Sequence, residues 1–177
     1  MRGPDWQAAL AASGILLRLA WFDPHVAGTF PLGLAVPGSD IDVLCHAPDP
    51  DLFAAALWAE CGRFEHFAMR QWRKADRPVV ATFSVEGLPF EIFGQARPVA
   101  GQHGWRHFTV EQRLLGLGGT AFRDAVLAAR RAGAKTEPAF AQVLGLEGDP
   151  YRAMLDLAEM DDAGLLEVMK PGGSPVA

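Results

Sequence analysis

The apolar and polar positions in the first third of the chain predict alternating helices and strands. Helical spacing follows Asp5, which can act as an N-cap, and begins again at Asp51, and extended segments follow Asp23-Pro24 and Gly38-Ser39. The predicted elements are a helix from Asp5 to about Leu19, a strand over His25–Ala27, a returning loop over Phe30–Pro37, a strand over Asp40–Cys45 and a helix from Asp51 to about Cys61.

The middle of the chain changes to the two-residue period of β-strands. Strands are expected over Phe64–Trp72, Val79–Val85 and Leu88–Phe93, with Glu86-Gly87 as the hairpin turn between the last two. In the final strand, apolar neighbours point to one face and Glu91 points to the other. The pattern therefore predicts an acid inside an otherwise apolar strand.

From residue 105 onward the spacing becomes helical, with segments over 105–116, 120–132, 137–144 and 149–168, the last in one or two pieces. Residues 171–177 are rich in Pro and Gly and are expected to be a disordered tail. The whole pattern predicts an α+β fold, with a mixed sheet flanked by helices and a helical C-terminal segment. No linker interrupts it, so we expect a single domain over residues 1–170.

Composition narrows the function classes. The chain has 177 residues and a net charge of −5, which supplies no global field for a nucleic-acid backbone and makes nucleic acid an unlikely partner. The local basic cluster Arg70, Arg73, Lys74 and Arg77 is interpreted as a solvated turn. The two cysteines form no CxxC pair, and Arg18 interrupts the longest early apolar stretch, so we expect a reduced, cytoplasmic protein without a membrane segment.

Two aspartates near the start of the second predicted strand carry the strongest chemical signal. Asp40 and Asp42 are two residues apart, so a strand would direct both carboxylates to one face. Hard cations such as Mg²⁺ prefer oxygen ligands and are often held by one or two carboxylates together with nucleotide phosphates. Glu91 is a candidate third carboxylate. Two alternatives stay open: Glu91 on the solvated face of an edge strand, and Gly38-Ser39-Asp40 as an ordinary turn.

Several short segments, in this order, carry a resemblance to a known family. They resemble the nucleotidyltransferase superfamily of DNA polymerase beta type and, within it, the bacterial DUF4269 family, for which no function is assigned. The segments are Gly28-Thr29-Phe30-Pro31, Gly38-Ser39-Asp40-Ile41-Asp42, Phe90-Glu91-Ile92-Phe93-Gly94-Gln95, Arg106-His107, Lys135-Thr136-Glu137-Pro138-Ala139-Phe140 and Gly148-Asp149-Pro150-Tyr151.

The resemblance implies a nucleotidyltransferase-like fold and a metal-dependent transfer of a nucleoside monophosphate from an NTP to an acceptor hydroxyl. It implies Mg²⁺ (or Mn²⁺) as cofactor and a small molecule or a protein as acceptor. Catalysis and metal binding are assigned to Asp40, Asp42 and Glu91. Nucleotide binding is assigned to Gly28, Thr29, Gly38, Ser39, Arg106, His107 and Lys135. The chain departs from the usual Gly-Ser or Gly-Gly at Gly28-Thr29, where the branched side chain narrows the phosphate cradle.

Two other interpretations compete with this one. The string Asp40-Ile41-Asp42-Val43-Leu44 is also similar to the start of a haloacid-dehalogenase-type phosphatase, but there an apolar strand precedes the first aspartate, whereas Pro37-Gly38-Ser39 precedes it here. The second alternative is a non-catalytic module that keeps the nucleotidyltransferase fold to bind a nucleotide or a protein.

Overall fold

The computed structural model describes residues 5–73 and 77–170, and the predicted tail over 171–177 and Lys74 of the basic cluster lie outside these ranges. The chain divides into two compact units. The first unit consists of the described parts of Met1–Pro31 and Pro37–Gln102. The second consists of Leu32–Val36 and the described part of His103–Ala177.

A five-stranded mixed sheet organises the first unit, with the strand order β1-β2-β5-β4-β3. Strands β2 and β5 are parallel, and the other neighbouring pairs are antiparallel. The strands are β1 (His25–Ala27), β2 (Ile41–His46), β3 (Glu65–Gln71), β4 (Val79–Val85) and β5 (Leu88–Gln95). All five predicted strands are therefore present, and the α+β mixed-sheet prediction is confirmed.

The helices of the first unit differ from the prediction in two places. They are α1 (Trp6–Ser13), α2 (Ile15–Arg18), α3 (Thr29–Leu32) and α4 (Pro50–Cys61). Asp5 caps α1 by accepting the amides of Gln7 and Ala8, but Gly14 has φ 62° and ends the helix, so the predicted continuous helix to Leu19 is wrong. The predicted loop over Phe30–Pro37 begins as the short helix α3, because a proline in the first turn removes no helical hydrogen bond.

Apolar side chains on one face of the sheet form the core of the first unit. Residues from β2, β4 and β5 pack there together with residues of α1 and α4. The Phe83 and Phe90 rings stack with their centroids 5.0 Å apart. Burial along β5 alternates strictly, which leaves Glu91 on the opposite face. Cys45 and Cys61 are both buried and free, as expected for reduced thiols.

The second unit is helical, as predicted. Its helices are α5 (His103–Arg131), α6 (Thr136–Leu144), α7 (Pro150–Ala158) and α8 (Asp162–Val168). Helix α5 is interrupted at Gly119, whose backbone is non-helical, and this is the break expected between the first two segments. Asp149 caps α7 by accepting the amide of Arg152. Among the described residues, none of the helices combines the length and the apolar character needed to cross a membrane.

We predict that Gly94→Ala destabilises the first unit. A Cβ at Gly94 would lie 2.1 Å from Cε1 of the fully buried Phe53, so the ring or the strand must move. Overpacking of this kind lowers the free energy of unfolding by roughly 1–3 kcal/mol. Urea unfolding followed by tryptophan fluorescence measures the change.

Gly116→Ala is the matched control, since it adds the same methyl group to a helix where no other described atom lies within 4 Å. It should stabilise the protein by up to about 1 kcal/mol, because alanine favours helix more than glycine does. Equal effects of the two substitutions would contradict the assigned packing of Gly94 against Phe53.

Candidate active site

The sheet register brings two of the predicted carboxylates together. Asp42 on β2 is aligned with Glu91 on β5 and, on its other side, with Ala27 on β1. Residues aligned across neighbouring strands direct their side chains to the same face, here the face opposite the apolar core. The pair spans 49 positions of sequence, and the parallel pairing of β2 with β5 places its members side by side.

Gly28 lies directly against the Asp42 carboxylate. It follows β1 and has φ 77°, a backbone conformation that favours glycine. A Cβ built at this position would lie 1.8 Å from Oδ2 of Asp42 and 2.8 Å from its Cγ. The absence of a side chain at Gly28 is therefore what lets the carboxylate occupy its place beside the backbone.

The other predicted site residues of the first unit surround this contact in sequence. Asp40 is half-buried and directly precedes β2. This strand therefore begins one residue later than predicted. Thr29 begins α3 and is buried, as is Ser39. Gly38 is exposed and has φ 90°, which suits the turn before the strand. The motif thus folds as strand, glycine, short helix, turn and strand.

Glu91 lies on an interior strand, so the alternative that placed it on an edge strand is wrong. Its side chain is 33% exposed, and its Oε2 lies 3.4 Å from Nη2 of Arg70 on β3. Burial raises the pKa of Glu91 above its ordinary value, the charge of Asp40 raises it further, and Arg70 opposes both. Two acids and one arginine therefore share the polar face of the sheet.

Arg70 is the site residue that the sequence interpretation missed. The basic cluster was assigned to a solvated turn, but Arg70 lies within β3, aligned with Val80 of β4. Since Ala68 of β3, Thr82 of β4 and Glu91 of β5 are aligned in turn, the alternation of side chains places Arg70 on the face of Glu91. The predicted strand over Phe64–Trp72 already included Arg70, and its two-residue period contained this signal.

The donor chemistry fits a hard divalent cation. Asp40, Asp42 and Glu91 offer carboxylate oxygens, and Gly28 has no side chain that would displace the carboxylate of Asp42. Across residues 5–73 and 77–170, however, no three His, Cys, Asp or Glu side chains are grouped as they stand to hold a metal ion. Glu91 contacts Arg70, so it would have to leave this partner to join the two aspartates.

Three predicted nucleotide-binding residues lie in the second unit, where two of them contact protein groups. Arg106 donates to the carbonyl of Leu155 at 3.2 Å and pairs with Glu159. His107 is buried, and its Nδ1 lies 3.1 Å from Oε1 of Glu137. Lys135 is exposed at the start of α6.

The contact with His107 affects the pKa of Glu137. Burial works to raise the pKa of Glu137, but the hydrogen bond from His107, a backbone hydrogen bond and the nearby charges of His107 and Lys135 lower it below its ordinary value. Nε2 of His107 lies 3.0 Å from the carbonyl of Tyr151. These contacts join α5, α6 and α7, and a nucleotide contact for Arg106, His107 or Lys135 stays a prediction.

We predict that Gly28→Ala destabilises the protein through Asp42. The added methyl group collides with the carboxylate and also strains a positive φ, so the free energy of unfolding should fall by at least about 1–3 kcal/mol. Gly38→Ala shares the positive φ but meets no described atom within 4 Å, and it isolates the backbone cost.

The double variant Gly28→Ala/Asp42→Ala separates the two terms of that cost. If the collision dominates, adding Gly28→Ala to Asp42→Ala should cost no more than Gly38→Ala does in the original chain. Urea unfolding of the four variants measures these differences. An undiminished cost in the Asp42→Ala background would contradict the assigned contact.

Two solved structures are similar to the backbone of this chain. The Cid1 poly(U) polymerase with MgGTP bound gives a TM-score of 0.56 at 17% sequence identity, over 84% of this chain and 47% of the polymerase chain. The GLD-2/RNP-8 complex gives a TM-score of 0.57 at 10% identity, over 92% of this chain and 74% of that chain. This chain thus spans about half the length of the Cid1 chain.

No curated protein sequence matches the chain. The sequence model of the family described as "Domain of unknown function (DUF4269)" matches residues 8–157, which include Gly28, Asp40, Asp42, Arg70 and Glu91. The resemblance to the DUF4269 family noted from the sequence is confirmed by this match. The chain therefore belongs to the DUF4269 family and has the nucleotidyltransferase-type fold.

Proposed function

We propose that this protein is a metal-dependent nucleotidyltransferase that moves a nucleoside monophosphate from an NTP to an acceptor hydroxyl. The observation that carries the proposal is the alignment of Asp42 with Glu91, with the backbone of Gly28 against the Asp42 carboxylate. A half-buried acid pair suits a cation and the phosphates that the cation neutralises. The fold similarity supports the same class of reaction.

In this proposal Asp40 and Asp42 hold Mg²⁺ or Mn²⁺, with Glu91 as the third ligand. When bound, the metal neutralises charge that develops on the phosphoryl oxygens and lowers the pKa of a coordinated hydroxyl. Gly28 lets a phosphate approach the main chain closely, and the Thr29 hydroxyl can donate a hydrogen bond to it. Gly38 and Ser39 form the turn that positions Asp40 for the nucleotide.

The reaction is an in-line displacement at the α-phosphorus. The acceptor oxygen forms a bond to this phosphorus, the bond to the bridging oxygen of the β-phosphate breaks, and pyrophosphate leaves. Glu91 accepts the proton of the acceptor hydroxyl.

The acceptor belongs to the same proposal. The net charge of −5 favours a small molecule or a protein hydroxyl. Cid1 is a poly(U) polymerase, and this likeness adds an RNA 3′ hydroxyl to the candidate acceptors. The proposal also assigns nucleotide binding to Arg106, His107 and Lys135, which would supply positive charge to the phosphates.

A second candidate function is a non-catalytic module that binds a nucleotide or a protein partner. The contact between Glu91 and Arg70 favours it, because the third carboxylate has a cationic partner already. In such a module Arg70 takes the place of a metal at Glu91, and nucleotide binding leads to no transfer. Transfer of labelled nucleotide that Asp42→Asn abolishes in a folded protein would exclude this function.

We predict that calorimetric titration of ATP, CTP, GTP and UTP detects binding of at least one nucleotide only when Mg²⁺ or Mn²⁺ is present. Asp42→Asn should weaken that binding by at least about tenfold, because the amide keeps the shape of the side chain but loses the charge that attracts the cation. Asp124→Asn, at an exposed position of α5, is the control and should bind as the unsubstituted chain does.

Thermal unfolding of both variants shows whether they are folded. Metal-independent binding that Asp42→Asn leaves unchanged would contradict the assigned cation site. No binding of any nucleotide by the folded, unsubstituted chain would overturn the transferase proposal.

A further inference from the structure

The strand order lays the polar groups of the first unit out in a row. Gly28 follows β1, Asp42 lies on β2, Glu91 on β5, Thr82 on β4 and Arg70 on β3. The phosphate cradle is therefore on one side of the acid pair, and the arginine is on the other. Because the two bonds of an in-line displacement lie on opposite sides of the phosphorus, an acceptor reaching Glu91 approaches from the side of β4 and β3.

Positive charge is concentrated on that side. The described residues 63–73 and 77 carry four arginines against one acid, a net charge of +3 in a chain whose total is −5. β3 is an edge strand, and six of its seven residues are exposed. Trp72, just beyond the strand, is 46% exposed. A local positive field of this kind attracts anions to one edge of the sheet.

We propose that the acceptor carries a phosphate group in addition to its hydroxyl, and that Arg70 binds this phosphate. The inference rests on the proposed nucleotidyl transfer and specifies the class of its acceptor. The phosphate serves to bind the acceptor and is unchanged by the reaction. The hydroxyl of the same molecule forms the new bond to the α-phosphorus, with its proton passing to Glu91.

The dimensions suit such an acceptor. Neighbouring strands are about 4.8 Å apart, so the backbone of β3 lies about 10 Å from that of β5. The Arg70 and Glu91 side chains together bridge this distance, since Nη2 of Arg70 lies 3.4 Å from Oε2 of Glu91. A phosphate on the guanidinium therefore lies within about one sugar length of a hydroxyl at Glu91. Half-buried Thr82, between the two on β4, adds a hydroxyl to the same path.

Arg70 can exchange its present partner for a phosphate at little cost. Its side chain is 60% exposed, and the contact to Glu91 is long for a hydrogen bond. An exposed ion pair of this kind contributes little to stability. A guanidinium binds phosphate through two parallel, charge-assisted hydrogen bonds, which are stronger. Arg77 is less available, because it pairs with Asp51 at 2.8 Å.

The test uses the full chain saturated with Mg²⁺ and a non-hydrolysable analogue of whichever nucleotide binds. Ribose 5-phosphate, ribose and a six-nucleotide single-stranded RNA are titrated into it by calorimetry. We expect a phosphate-bearing probe to bind and ribose not to bind. At saturating nucleotide, Arg70→Ala should weaken binding of the probe by at least about tenfold, the usual effect of losing a hydrogen bond between charged groups.

Two further variants control for charge and for folding. Arg70→Lys keeps the positive charge but loses the bidentate geometry, so it should lose less affinity for the probe than Arg70→Ala does. Arg73→Ala removes a neighbouring exposed arginine beyond the end of β3 and should bind the probe as the unsubstituted chain does. Equal losses of probe affinity in Arg70→Ala and Arg73→Ala would show that only the overall positive charge attracts the probe. That result would overturn the assignment of Arg70 as the phosphate site.

The outcomes separate this inference from the function on which it rests. Binding of ribose 5-phosphate alone indicates a phosphorylated small molecule as acceptor, and binding of the RNA alone indicates a polynucleotide end. If the nucleotide binds but neither phosphate-bearing probe does, or if Arg70→Ala binds them undiminished, the inference is wrong and the transferase proposal stands. If no nucleotide binds, the transferase proposal itself fails.

Discussion

The parallel pairing of β2 with β5 is the constraint on which the rest of the site depends. It aligns Asp42 with Glu91 on the polar face of the sheet, although 49 positions of sequence separate them. The residues between the two, among them α4 and the β3–β4 pair, complete the crossover that a parallel pairing requires. The apolar residues that alternate with the two acids are buried on the opposite face, so a shift of one residue in the register of either strand would move its acid into the core.

This arrangement concentrates negative charge, and its neighbours accommodate that charge differently. On one side, Gly28 has no side chain and leaves the Asp42 carboxylate against the main chain. On the other, Arg70 contacts Glu91 and opposes the increase in its pKa that burial and Asp40 cause. The acids are thus held close by packing of the opposite face, and a cation or a proton relieves their repulsion. A site of this kind is suited to recruit a positively charged cofactor.

Much of this arrangement could be predicted from the sequence, because local patterns determine it. The two-residue period located Val79–Val85 without error and placed Glu91 on the face opposite Phe90 and Ile92. Gly14 shows where local pattern fails: the apolar spacing continues past it, but its positive φ ends α1. The helix at Thr29–Leu32 was missed because Pro31 is also typical of a loop.

The contacts of the site needed information that lies outside any single segment. The order of the strands decides that Asp42 neighbours Glu91, and long-range pairing is not encoded in the period of either strand. For Arg70 the alternation of β3 and β4 was sufficient in principle, but the charge of its neighbours favoured a solvated turn. The close approach of Gly28 to Asp42 depends on the register of β1 with β2, which the sequence motif alone does not specify.

Nuclear magnetic resonance can test most directly whether Asp40, Asp42 and Glu91 bind a cation, because it locates the bound ion. Mn²⁺ added with the nucleotide that binds broadens the signals of nearby amides because it is paramagnetic. We expect selective broadening of the amide signals of Gly28, Asp40, Asp42 and Glu91. In Asp42→Asn this broadening should disappear, while the rest of the spectrum keeps its dispersion. Broadening centred elsewhere in the chain, or unchanged broadening in Asp42→Asn, would contradict the assignment of these carboxylates as the catalytic metal site.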